Sequence, residues 1–212
     1  NNTVIVTYKN MADASIELEK ACIDLRTDRT NATKAKAATD AWIKTRVYWE
    51  QAEAFLFGPA DLEGIDPHID SWPLDKSELD ALLADTQIMN QFDAKYATAN
   101  LEDALLGFHA IEYILFRDAT PRTDATDNEL KYAVGVAGDL KLHCFLLEAY
   151  WAGTDKVSTE KQECIKDSKI KVKSNWGENM INAGLAGSTY KTQVDAVIEI
   201  IYGDKGCRGI SN

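Results

Sequence analysis

ALLGFHAIEYILF, residues 104–116, is the stretch on which the fold turns. Eleven of its thirteen positions are apolar or glycine, and the two exceptions are His109 and Glu112. Leu101, Leu105, Phe108, Glu112 and Leu115 recur at helical spacing, while Leu106, Ala110, Tyr113 and Ile114 make the opposite side apolar as well. A helix that is apolar all round is packed among other helices. His109 and Glu112, three residues apart, share one of its faces. Burying a carboxylate without compensation is costly, so the pair is expected to point into a cleft or interior site holding a partner, a proton or a metal.

Working outward, helical periodicity dominates. Helices are predicted over about 7–27, 31–57, 77–97, 100–118, 127–152 and 158–184, with a last one over 188–203 opened by Ser188. Ser77 with Asp80 resembles a capping box for the third of them. Pro59, Pro67 and Pro73 mark 58–76 as the long loop. TVIVTY alternates weakly, but one short strand cannot make a sheet. The expected class is therefore all-α, an up-and-down bundle of about six or seven helices with the second and fourth adjacent.

The formal net charge of −11, from 23 basic and 34 acidic residues, argues against nucleic acid or anionic lipid as a partner. It is compatible with cations as ligands, but on its own it is better accounted for by a solvated acidic surface. No apolar run is long enough to span a membrane. The opening NNTVIVTYKN has no initiator Met and no basic-then-apolar leader, as expected of a processed or trimmed product. Cys22, Cys144, Cys164 and Cys207 show no C-x-x-C spacing, which excludes a zinc ribbon. Cys22 and Cys144 fit core positions, and a Cys164–Cys207 disulfide stays open.

The second helix repeats the anomaly of the fourth. Trp42, Arg46, Trp49, Glu53 and Leu56 fall on one stripe, so aromatic anchors alternate with an Arg and a Glu. If the two helices pack together, Glu53, His109 and Glu112 converge on one site, with Arg46 balancing charge. The bland alternatives are a satisfied core histidine and an Arg46–Glu53 ion pair, and the bare H-x-x-E pattern is weak. His68, in the proline-rich loop, is expected to be exposed, and His143 to be core. H-E-x-x-H zinc chemistry, a full di-iron centre, a G-x-S-x-G nucleophile and a phosphate loop all lack their residues. What survives is a mononuclear mixed N/O site suited to iron, zinc or copper.

GFHAIEYILF carries G-x-H-x-x-E on Gly107, His109 and Glu112, and so resembles the signature of the imelysin family. TRVYWEQAEAFLFGPAD (45–61) is similar to its W-x-x-x-E-x-F-x-F-G-P segment on Trp49, Glu53, Phe55, Phe57, Gly58 and Pro59. IDSWPLD (69–75) resembles a downstream element on Asp70, Trp72 and Pro73, and AGSTYKTQVDAVIEIIYG (186–203) a later one. The resemblance implies an exported bacterial protein, periplasmic or held as a cell-envelope lipoprotein by an anchor upstream of residue 1. It implies a link to iron uptake and to other iron-uptake components, and a pocket between two helical halves. It makes His109, Glu112 and Glu53 the metal or small-ligand contacts, with Gly107, Arg46, Trp49, Asp70 and Trp72 supporting them. The family is also classed with peptidases. A metallopeptidase and a non-catalytic helical binding module are the alternative functions, and no complete catalytic metal site is legible. Family members are longer. Residues 1–185 are therefore expected to form an N-terminal bundle and 186–212 the start of a second half, leaving the site short of one wall.

Overall fold

The computed structural model describes residues 3–173 and 175–207. The class is all-α. Among the described residues there are twelve α-helices, however, where about six or seven were expected, and one two-stranded hairpin. They run α1 (Val4–Thr27), α2 (Ala32–Gln51), α3 (Pro59–Leu62), α4 (Ile65–Ile69), α5 (Lys76–Ala84), α6 (Thr86–Gln91), α7 (Ala94–Asn100), α8 (Gly107–Leu115), α9 (Asp127–Ala152), α10 (Thr159–Ser168), α11 (Trp176–Ile181) and α12 (Gln193–Tyr202).

The extra helices come from local capping chemistry. The single helix expected over 77–97 is three, because Asp75, Asp85 and Asp93 each turn a carboxylate onto backbone N–H groups of the following turn: Glu78, then Gln87 and Ile88, then Tyr96. An aspartate that caps a new turn competes with continuation of the old one. The cap of α5 is thus Asp75 and not Ser77. The second expected helix stops at Gln51 because the i→i+3 bonds Ala52 N to Trp49 O and Phe55 N to Ala52 O tighten the chain into a 3₁₀ turn at Glu53–Phe55. The proline-rich loop contains α3, with Pro59 at its first position, and α4. Lys169 in the left-handed region ends α10 and breaks the expected sixth helix. The last helix opens at Thr192, whose hydroxyl and Asp195 form a reciprocal capping box.

The fourth expected helix ends at Leu115. The chain then reverses in a hairpin, β1 (Phe116–Arg117) against β2 (Thr120–Pro121), with Phe116 opposite Pro121. Its two turn residues, Asp118 and Ala119, have φ of 50° and 58°, as a tight two-residue hairpin turn requires.

The chain packs as two compact units. The first comprises Asn1–Ala12, Val47–Asp66 and Cys144–Asn212, and the second Asp13–Arg46 and Pro67–His143. In the first, Tyr8 meets Phe55 edge-on at 5.5 Å and stacks on Trp151 at 6.3 Å, while its hydroxyl donates to the Phe55 carbonyl. Residues 186–207, expected to open another half, place α12 in this unit; residues 208–212 lie outside the described ones. In the second unit Phe92 packs on Tyr132, whose buried hydroxyl donates 2.6 Å to the Leu105 carbonyl just ahead of α8. Cys164 and Cys207 are not joined by a disulfide. Cys22 is wholly buried, and burial, followed by the nearby Glu19 charge, pushes its thiol up to about 12.

Candidate functional site

The second unit assembles the motif from three segments: the end of α2, the stretch following α4, and α8. The expected adjacency of the second and fourth predicted helices is realised by Trp42. Its indole N–H donates 3.0 Å to the Phe108 carbonyl, and its ring lies edge-on to Phe108 and Phe116. Arg46, one turn further along α2, sets its guanidinium 5.2 Å over the Phe108 ring and pairs with Asp70.

α8 begins at Gly107 with φ of 75°, a conformation costly for any L side chain. A Cβ there would sit 2.1 Å from the carbonyl oxygen of Ile69. The missing side chain thus lets the start of α8 lie directly against the backbone between His68 and Asp70. This explains the glycine of the motif: it sets the helix N-terminus against the segment that supplies the partner of His109.

His109 uses both edges of its ring. Nδ1 lies 3.2 Å from a Glu112 carboxylate oxygen and Nε2 3.2 Å from Asp70 Oδ1. Trp72 covers the ring at a centroid distance of 4.9 Å. The pair is not sealed in a core. Glu112 keeps 44% of its side chain exposed and His109 22%, on the wall of a cavity of about 250 Å³ shared with Trp72, Leu74, Lys76 and Tyr113. Asp70, Arg46, Trp72, Gly107, His109 and Glu112 all belong to this one unit. Glu53 and Trp49 belong to the other, Glu53 half-buried in the 3₁₀ turn and Trp49 fully buried. The ring nitrogens face opposite ways, one toward each carboxylate, so a cation bound by the ring replaces one of these two contacts.

A second polar cluster in the same unit escapes sequence reasoning. His68, expected to be exposed, keeps only 16% of its side chain accessible. Its Nδ1 lies 3.1 Å from Asp103 and its Nε2 3.0 Å from Asp139 Oδ2. Asp139, wholly buried on α9, also accepts a 2.7 Å hydrogen bond from the Thr98 hydroxyl. His143, one turn on, donates from Nδ1 to the Asp139 backbone carbonyl at 3.0 Å, and its ring stands 3.9 Å from that of His68. Burial pulls His68 down, but the hydrogen bonds and charges of Asp139 and Asp103 outweigh it and leave the ring above its ordinary value. Burial pushes Asp139 up, and the His68 hydrogen bond with the two imidazole charges brings it below the carboxylate range. His143 is lowered, by burial first and against the attraction of Asp139. The only trace of this cluster in the sequence is the D-x-x-x-H spacing of Asp139 and His143.

A sequence profile of the imelysin family (peptidase M75) matches residues 4–199. Iron-regulated protein A of Synechococcus elongatus is 34% identical over 151 residues, which is 71% of this chain and 38% of that protein. Among crystal structures, a Parabacteroides distasonis protein described as an iron-regulated protein A precursor superposes with a TM-score of 0.77 at 29% identity, over 98% of this chain and 54% of that one. An imelysin-like protein from Psychrobacter arcticus, 19% identical, shares the fold with a TM-score of 0.59 over 84% of this chain and 53% of its own. The chain thus spans 38% and 54% of the length of the two iron-regulated relatives.

Proposed function

The chain belongs to the imelysin family, and on that premise we propose that it is an exported iron-acquisition component which holds a metal ion or small ligand transiently at His109 and Glu112. The observation that carries this reading is His109 itself, set at 3.2 Å from a carboxylate on either side on the wall of an open cavity. An imidazole between carboxylates is a borderline-to-hard donor set, suited to iron or zinc in preference to soft ions. Asp70 and Arg46 orient the ring and limit the local negative charge, and Trp72 shields one face. The match to two proteins described as iron-regulated, one of them a precursor, supports both iron and export. We place the protein in the periplasm or on the cell envelope, held there by lipid.

Anaerobic titration of the chain with Fe²⁺ tests this reading. His109→Ala and Glu112→Ala are each expected to weaken one binding event at least tenfold without altering the helical circular dichroism. Iron binding unchanged in both variants would remove the motif from the function.

A further inference from the structure

We propose that His68, Asp139 and His143 form a second cation site, distinct from the motif, that takes a first-row divalent metal such as zinc or ferrous iron. One ligand atom from each of the three lies within 4.8 Å of the others. His68 Nε2 and Asp139 Oδ2 are 3.0 Å apart, which is the separation of two neighbouring ligands each about 2.1 Å from one ion. Two imidazoles and one carboxylate form the donor set that selects iron or zinc over magnesium or calcium.

The outer shell argues more strongly than the ligands. A metal-binding histidine characteristically donates its other N–H to a carboxylate or a backbone carbonyl, which fixes the tautomer and aims the ring. His68 directs Nδ1 at Asp103, so Nε2 is the ligating atom. His143 directs Nδ1–H at the Asp139 carbonyl, so its Nε2 carries the lone pair. Asp139 is held in turn by the Thr98 hydroxyl. Each of the three ligands thus has its own orienting partner. Asp103, 49% exposed in its side chain, leaves an approach from solvent on the His68 side. The cluster also carries the carboxylates of Asp103 and Asp139, a charge that matches a dication.

The test uses Co²⁺ as a spectroscopic substitute for zinc and ferrous iron. The His109→Ala/Glu112→Ala double variant, which removes the motif, is expected to retain one Co²⁺ equivalent with visible d–d absorption. In that background His143→Gln and His68→Gln should abolish the absorption. Asp103→Asn, at a half-exposed position that leaves folding undisturbed, should weaken binding by about 10–100-fold, the usual effect of losing an outer-shell carboxylate. In the otherwise unchanged chain, ring protons of His68 and His143 should show large paramagnetic shifts. Absence of Co²⁺ binding at millimolar concentration in the double variant overturns the proposal. So does Co²⁺ affinity unchanged by Asp103→Asn and His68→Gln; the cluster would then be a hydrogen-bond network and no more.

Discussion

Replacing Gly107 by alanine should disturb both polar sites through one backbone contact. At φ of 75° the alanine pays the left-handed penalty of about 1–2 kcal/mol. Its Cβ would also stand 2.1, 2.4 and 2.8 Å from the carbonyl oxygen, carbonyl carbon and Cα of Ile69. Ile69 is wholly buried, and the obstructing atoms are backbone, so no side-chain rotation relieves the overlap. Forced repacking of this kind costs about 1–3 kcal/mol, for a total of about 2–5 kcal/mol. At about 2–4 °C per kcal/mol for a chain of this size, the melting temperature should fall by about 4–20 °C. His68 and Asp70 flank Ile69, so the residual folded state should also show displaced ring resonances for His68 and His109. Thermal unfolding by circular dichroism, with histidine-selective NMR, measures both effects. A Gly107→Ala variant melting within about 1 °C of the parent, with unchanged His68 and His109 signals, would refute the role given to this glycine.

In the first unit, Lys161 and Glu148 form an ion pair at 2.6 Å with 3% and 5% of their side chains exposed. Lys161→Ala strands a buried carboxylate and should lower stability to urea by about 3–5 kcal/mol, while Lys161→Met/Glu148→Leu should be neutral or better; a loss under about 1 kcal/mol for the single variant contradicts this. A pH effect should originate at Glu129. Burial pushes its carboxyl up, but hydrogen bonds from Arg122 and from Thr126 outweigh this and leave it below its ordinary value. A lowered folded pKa stabilises above the unfolded value, and that stability is lost as pH falls through the folded value. Arg122→Gln should therefore flatten the acid limb of melting temperature against pH below about pH 4.5; an unchanged limb excludes Glu129 as its source.

How much was legible in the sequence depends on where the determining contacts lie. The range predicted for α9, 127–152, coincides with the helix because its determinants are local: Thr126 and Glu129 exchange side-chain and backbone hydrogen bonds at its start, and Gly153, at φ of 98°, stops it. Asp75, Asp85 and Asp93 carried equally local signals, but the apolar period through 77–97 hides them, since Leu79, Leu82, Met89 and Ala97 remain buried across the breaks. The pairing of His109 with Glu112 followed from their i, i+3 spacing alone. That Asp70 faces the other edge of His109 is a tertiary fact, and only the resemblance had drawn attention to Asp70. The cluster joins His68 to Asp139, 71 positions away, and nothing in periodicity or spacing brings those two together.

The two polar sites differ in how their charge is compensated, and this difference bears on what each can hold. At the motif, Asp70, one of the two carboxylates that flank His109, is paired with the fixed guanidinium of Arg46. Around His68, the carboxylates of Asp103 and Asp139 face imidazoles, which can release a proton to solvent and offer a lone pair to a metal where a guanidinium cannot. A dication should therefore bind more weakly at the motif, as suits an ion that must be released. Removing the fixed charge tests this. A unit charge about 4 Å away at an effective dielectric constant of about 20 is worth up to about 4 kcal/mol. Loss of the orientation that Arg46 gives Asp70 offsets part of that gain. Arg46→Gln should consequently tighten Fe²⁺ or Co²⁺ binding at the motif by about tenfold, or about 1.4 kcal/mol. The measurement is best made in a His68→Gln background, where only the motif contributes to the titration. Weaker binding in Arg46→Gln would mean that the guanidinium organises the site more than it repels the ion, and the charge argument for transient binding would fall.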